Sequence, residues 1–417
     1  MKFIADLHIH SRFSRATSKE INLSNLAKWA KIKGIDVLGT GDFTHPLWFK
    51  ELKEGLEPAE NGLYQIRGGN NKTRFILTSE ISCIYSKNGK VRKIHLVVFA
   101  PSLKDVENIN SRLEHIGNLK SDGRPILGVD AKELLKTILE VSPNSFMVPA
   151  HCWTPWFAIF GSKSGFDSVE ECFEDYSKHI FALETGLSSD PKMNWRLSSL
   201  DKYTLISNSD AHSLKKLGRE ASVFEGNNIS YQQIIDALKK ISQSLKLIYT
   251  IEFFPEAGKY HYDGHRNCNI VFSPSETKKN SGICPVCNRP LTIGVLNRID
   301  ELADKPIDRL PTRAIPFKSI VPLQEIIAEA GGVSSLSKKV EKEYWDMIDK
   351  MGSEFNILLE VPKKELEKLA LPEIARGILA VREGKVVAEP GYDGVYGKIK
   401  TLHQKGLKEI FKQKSLF

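Results

Sequence analysis

Cysteine is scarce and scattered in this chain, with six in 417 residues. Cys83, Cys152 and Cys172 stand alone, and only Cys268, Cys284 and Cys287 cluster. That usage excludes a disulfide framework and fits metal binding in a reducing compartment. Long apolar runs are also missing, since none approaches the ~20 residues that span a bilayer. The first residues lack the charged-then-apolar layout of a signal peptide. A cytoplasmic protein with no membrane partner is therefore expected. Internal repeats and low-complexity tracts are absent, which excludes solenoid arrays. Charge of one sign is concentrated in one place: Lys398, Lys400, Lys405, Lys408, Lys412 and Lys414 face only Glu409, within a net charge of +8. Such a tail is either a solvated helix face or a surface for a polyanion.

What is present is the material of a globular protein, 41% hydrophobic and 26% charged, with length enough for two or three compact units. Residues 1–245 alternate apolar strand-like runs with amphipathic stretches, the pattern of an α/β domain with a parallel sheet or barrel. The first helix is expected around "NLSNLAKWAKIKG", with Asn22 or Ser24 as N-cap and Gly34 as C-cap. Residues 246–297 are short-ranged, aromatic and rich in Cys and His. Residues 298–417 carry a Pro-rich linker, a helical region from Leu323 to Leu379, the loop "PGYDGVYGK" and the basic tail.

The chemistry starts in "DLHIH". Alternation of side chains along an extended chain puts Asp6, His8 and His10 on one face. The same residue types recur where later strands end: Asp42 in "GTGDF", Glu80 in "FILTSE", His151 in "FMVPAH", and Asp210 with His212 in "LISNSDAH". Strand C-termini are where α/β barrels build active sites. His95 is the exception, lying early in "KIHLVVFA". Eight ligands (His8, His10, Asp42, Glu80, His95, His151, Asp210 and His212) exceed the three or so that one catalytic ion takes. Two to three catalytic divalent metals are expected. Mixed imidazole and carboxylate ligation suits zinc, manganese or iron better than magnesium alone. Glu80 is the candidate bridge, Asp6 the candidate acceptor that fixes an imidazole tautomer, and Glu80, Asp210, His212 and Asp6 the expected catalytic group.

A second cluster, "HRNC" followed by "CPVC", has the paired spacings of a zinc ribbon. Its expected structural zinc is held by His265, Cys268, Cys284 and Cys287, with His261 competing as fourth ligand. The aromatic run "HCWTPWFAIF" leaves His151 and offers Trp153 and Trp156 as a wall against a base, while Tyr392, Tyr396 and Lys398 are further candidates for nucleic-acid contact.

The motifs "DLHIH", "GTGDFTH", "TSEIS", "IHLVVFA", "PAHCW" and "SNSDAH" resemble those of the polymerase and histidinol phosphatase (PHP) superfamily of metal-dependent phosphoesterases. The resemblance implies a distorted seven-stranded β/α barrel over residues 1–245. Many members have Asp-His where this chain has Asp42-Phe43, and His45 is the nearest substitute for a third metal's ligand. A ribbon, a helical region and a basic tail add what a long anionic ligand requires. Together with "YHYDGHRNC", "ICPVC", "LTIGVLNRIDELAD" and "PGYDGVYGK", the arrangement resembles the endonuclease Q family. This implies a DNA-repair endonuclease that cuts 5′ to deaminated bases (uracil, hypoxanthine, xanthine) and abasic sites by metal-activated hydroxide. Lesion-bearing DNA is the partner this implies; a sliding clamp is a further candidate for which no partner motif is visible, and a monomer is the expected form. The alternatives are a phosphatase or exonuclease of the same superfamily, or a non-catalytic DNA-binding scaffold.

Overall fold

The computed structural model describes residues 1–69 and 72–402. Its architecture is mixed α/β, and one sheet of eleven strands runs through it. The strands that position the site are β1 (Lys2–Asp6), β2 (Val37–Gly39), β3 (Arg74–Lys87), β4 (Lys90–Ala100), β5 (Phe146–Pro149), β6 (Ala182–Glu184) and β7 (Thr204–Ile206). Three more, β8 (Ala221–Gly226), β9 (Leu245–Phe253) and β10 (Phe317–Ile320), extend the sheet beyond β1. β1 pairs with β2 and β2 with β3, all parallel. β6 and β7 form a separate parallel pair. Backbone bonds from Cys152 N to Glu184 O (3.0 Å) and from His10 N to Ala211 O (3.1 Å) link the end of β5 to β6 and the segment after β7 to that after β1.

The expectation of an all-parallel arrangement needs correction at β3 and β4. These form one long antiparallel hairpin, and β4 also pairs antiparallel with β5. The hairpin turns at Asn88-Gly89, both with positive φ (54° and 72°), the conformation that Asn-Gly favours between twisted strands. "FILTSE" therefore does not end a strand. β3 continues past Glu80 to Lys87.

The first helix, α1 (Leu23–Lys33), begins at Asn22, whose side chain accepts the Asn25 N–H, and ends at Gly34 in the left-handed region (φ 87°). Of the two N-cap candidates, Asn22 is the one used. Its buried face, including Leu23, Leu26 and Ala30, joins the main core.

β9 runs across the boundary expected at residue 245, where its backbone pairs antiparallel with β8. β10 falls inside the expected linker and lies parallel to β9. Beyond it come α2 (Leu323–Gly331), α3 (Lys338–Met351) and α4 (Pro372–Arg382). The first two of these helices meet α1 at a buried polar knot. Glu354 accepts from Lys33 Nζ (2.6 Å), Tyr344 Oη (2.7 Å) and Leu323 N (3.1 Å), so its charge is fully paired. The chain then returns to the Cys/His module, where Tyr262 N donates to Gly391 O (2.9 Å). Lys405, Lys408, Glu409, Lys412 and Lys414 lie outside the described residues. Among those described, no helix is long and apolar enough to cross a membrane.

Candidate active site

β1 aims the chain so that His8 and His10, just beyond it, meet Glu80 of β3 and Asp210 beyond β7. One donor atom from each lies within 4.8 Å of the others. His10 Nε2 is 3.2 Å from Glu80 Oε2 and 3.0 Å from Asp210 Oδ1. His8 Nε2 stands 3.7 and 3.8 Å from the same two atoms, and it is buried with no hydrogen-bond partner.

A second group lies on the other side of Glu80. Its Oε1 is 2.8 Å from His95 Nδ1 and 3.1 Å from His151 Nε2, and those ring nitrogens are 3.3 Å apart. Each carboxylate oxygen of Glu80 thus faces a different cluster, the disposition of a bridging ligand. The orphaned His8 nitrogen, the converging imidazoles and the shared carboxylate fit two divalent ions, since a buried polar atom without a partner is costly unless something binds there. His95 reaches this point because β4 runs antiparallel to β3, so its early residues lie at the site; His95 sits opposite Ser82.

Behind the ligands stand carboxylates that fix the rings. His8 Nδ1 is 3.1 and 3.0 Å from the two oxygens of Glu184, which also accept from His151 N (3.3 Å) and Asn208 Nδ2 (3.2 Å). His10 Nδ1 is 3.0 Å from Asp42 Oδ1. Both rings therefore turn Nε2 inward, as ligand histidines with a carboxylate behind them do. Three non-glycine residues here have positive φ: Asp42 (47°), His151 (29°) and Asp210 (46°). Such backbone persists only where its surroundings hold it. Arg219 grips the Ser209 and Asp210 carbonyls (2.9 and 3.3 Å), and His212 Nδ1 bonds the latter at 2.8 Å.

Not every expected residue joins the clusters. Asp42 lies outside both, its Oδ2 accepting from Ser11 N (2.6 Å), Ser11 Oγ (2.7 Å) and Ser14 Oγ (2.9 Å). Asp6 touches no imidazole; it accepts from Ser209 N and Gly218 N (both 2.9 Å), and burial pushes its carboxyl up to about 6 against those amides. His212 lies tilted against His10, ring centroids 4.5 Å apart, outside both clusters. His45 lies on Phe13 at 4.4 Å, and the described residues hold no third cluster beside these two around Glu80. Glu184 was not anticipated, although it ends the strand-like "FALET" and the strand-end rule reaches it. Arg124, whose Nη1 donates to Glu80 Oε2 (3.0 Å), follows no periodic signal.

The aromatic candidates separate clearly. Trp153 is fully buried with its indole N–H on Asn194 Oδ1 (2.8 Å), so it has no face to offer. Trp156 is 39% exposed and meets Tyr260 edge-on at 5.7 Å, and Tyr396 is 67% exposed with Lys259 over its ring. Tyr392 is half-buried, bridged to Tyr262 and Val395. Lys398 lines an open cleft of about 900 Å³ with Lys216, Arg219, Tyr396 and Lys400.

The ribbon cluster is also assembled. Donor atoms of His265, Cys268, Cys284 and Cys287 lie within 4.8 Å of one another. A two-stranded hairpin, Asp263–His265 with Ile270–Phe272, delivers the first pair. Cys284 N to Arg289 O (2.8 Å) and Asn288 N to Cys284 O (2.9 Å) close a tight turn around the second. His261 stays outside this group, buried, its imidazole pushed down to about 4 by burial alone.

Comparison with known proteins agrees with this picture. The family model described as the MJ0043 C-terminal domain matches residues 322–385. Uncharacterized protein MJ0043 of Methanocaldococcus jannaschii is 34% identical over 275 residues, 64% of this chain. That match spans only about a third (34%) of MJ0043. Uncharacterized protein YqxK of Bacillus subtilis is 30% identical over 416 residues, covering 96% of this chain and 99% of YqxK. Among solved structures, the lesion-specific endonuclease PfuEndoQ from Pyrococcus furiosus superposes with a TM-score of 0.85 at 32% identity, covering 96% of this chain and 95% of that one. A complex of Endonuclease Q with a 27-mer duplex substrate, an abasic lesion at its active site, matches with a TM-score of 0.84 at 32% identity over 96% of both chains. Identity at this level along nearly the whole of both chains, with two carboxylate-bridged clusters in the fold, means that this protein belongs to the endonuclease Q family of metal-dependent endonucleases.

Proposed function

We propose that the protein is a DNA-repair endonuclease that hydrolyses the phosphodiester 5′ to deaminated bases (uracil, hypoxanthine, xanthine) and abasic sites, leaving 3′-hydroxyl and 5′-phosphate ends. The observation that carries this reading is the pair of buried clusters sharing Glu80, in a chain so similar to an endonuclease bound to abasic DNA. We read the seven strands β1 to β7 as the distorted barrel that supports them. His8, His10, Glu80 and Asp210 would hold one divalent ion and Glu80, His95 and His151 a second; when bound, the pair would activate water for attack and neutralise charge on phosphorus. The chain's part is to fix that geometry. Glu184 and Asp42 hold His8 and His10, and the paired Glu80 and Asp210 complete the first cluster.

The cleft carries Lys216, Arg219, Lys398 and Lys400 against Glu325 and Glu329, a cationic excess that suits a phosphate backbone. Trp156 and Tyr396 offer exposed rings on which an extruded base can stack. Inspection of a deaminated base requires flipping, which costs roughly a few kcal/mol and less at damaged or mismatched pairs. The test is incision of end-labelled duplexes bearing one uracil, hypoxanthine, xanthine or abasic site. A single cut 5′ to the lesion, with undamaged duplex of the same sequence intact, is expected. Equal cutting of undamaged DNA would make it a non-specific nuclease, and free base released before strand scission would make it a glycosylase. Trp156→Ala should impair lesion selection while metal content stays unchanged.

A further inference from the structure

Arg124 is the one arginine among the described residues that hydrogen-bonds Glu80, and no part of the orienting network accounts for it. Its Nη1 reaches Glu80 Oε2 at 3.0 Å, and the side chain keeps 24% of its surface open. A guanidinium carries five N–H donors in a fixed fork. Glu80 takes one, and with part of the side chain open to solvent the guanidinium keeps donors for a further ligand.

The backbone presenting this side chain is anchored on every side. Asp122, buried, accepts from Arg15 N (3.2 Å) and Arg124 N (3.1 Å). Gly123 N donates to Phe13 O (2.9 Å), Thr44 Oγ1 donates to Gly123 O (3.1 Å), and Ser82 N donates to Pro125 O (3.0 Å). Gly123 is pressed so closely on the network behind His10 that a Cβ there would come within 2.3 Å of Asp42 Oδ2 and 2.5 Å of Ser14 Oγ. This degree of fixing is what a preorganised site for developing charge requires.

Charge points the same way. Two divalent ions would balance the four carboxylates Glu80, Asp210, Glu184 and Asp42, so the Arg124 guanidinium leaves a net positive charge that an incoming anion relieves. We propose that Arg124 binds a non-bridging oxygen of the scissile phosphate, holding it against the bridged clusters and stabilising the charge that builds there. The inference rests on the phosphodiesterase reading of this site and is independent of which lesion is recognised.

The experiment uses the full chain loaded with manganese, as wild type, Arg124→Lys and Arg124→Ala. Metal content is counted, inorganic phosphate is titrated calorimetrically, and hydrolysis of bis(p-nitrophenyl) phosphate is followed. Metal content should be equal in all three. Phosphate should bind the alanine variant at least about tenfold more weakly, with lysine between, and kcat should fall by about 10²–10³ more than any change in KM. Added guanidinium ion should restore part of the rate to the alanine variant and none to wild type. Equal phosphate affinity across the three, no measurable phosphate binding by wild type, or loss of barrel metal from the alanine variant would overturn the assignment, the last by making Arg124 a prop for Glu80. Wild type that binds phosphate and cleaves the model diester but ignores lesion DNA would instead sink the lesion-directed reading and leave Arg124 in place.

Discussion

Replacing Glu184 by Gln removes one charge and almost no volume, yet the structure predicts a large effect on metal binding. All three polar neighbours of that carboxylate are donors, making four contacts: His8 Nδ1 on both oxygens, His151 N on Oε1 and Asn208 Nδ2 on Oε2. A glutamine amide must point its NH₂ at either the His151 amide or the Asn208 side chain. Asn208 cannot flip to receive it, because its Oδ1 already accepts Leu7 N at 2.8 Å. One buried donor–donor contact therefore remains, worth about 1–3 kcal/mol. Loss of the charge behind His8 also weakens it as a ligand, an effect of typically about 10–100-fold in metal affinity. Chelator competition on the purified protein, with metal counted after dialysis, reads both. The His8-side ion should be lost at least about tenfold more readily than from wild type, and the ribbon zinc should stay. Unchanged affinity in a folded Glu184→Gln protein would refute the orienting role.

Three further outcomes follow from the same geometry. His265→Ala or Cys287→Ser should release the ribbon ion and loosen residues around the hairpin, seen by metal analysis and limited proteolysis, while the barrel ions stay. Glu252 is fully buried, and burial raises its carboxyl to about 8 although Thr250, Thr185 and Ser207 donate to it. The folded state thus binds more protons than the unfolded one between pH ~4.5 and 8. Its contribution is complete below that window and is lost as pH rises through it, by up to about 1.4 kcal/mol per unit. Denaturation across pH 5–9 should show Glu252→Gln flattening this slope, and an unchanged slope would count against it. Glu354→Gln should cost about 3–5 kcal/mol by leaving Lys33 buried and uncompensated, measured as loss of cooperative thermal unfolding between α1 and the C-terminal helices.

Much of the site was legible because metal ligands must sit where strands can deliver them. Period-two alternation put His8 and His10 on one face, and strand ends located His151 and Asp210 without any structure. The spacing of His265, Cys268, Cys284 and Cys287 carried the ribbon in the same way. What sequence could not carry was strand direction. Reading "RFILTSE" and "KIHLVVFA" as parallel strands made His95 an anomaly, whereas the antiparallel hairpin places it beside Glu80. Nor does sequence separate ligands from the groups that orient them. Asp42 and Asp210 are both strand-end aspartates with positive φ, and only the neighbours that occupy their oxygens tell them apart. Arg124 comes from an irregular loop held by local backbone bonds, for which no periodicity exists to read.

In the proposed phosphodiesterase centre one carboxylate, Glu80, ties two ions together. Counting metals and measuring incision of an abasic duplex in the same preparations of wild type and Glu80→Gln puts that role to the test. The prediction is two barrel ions plus the ribbon's zinc in wild type, and only the ribbon's zinc with no incision in the variant. A folded Glu80→Gln protein that keeps both barrel ions, or that still cuts at the wild-type rate, would contradict it.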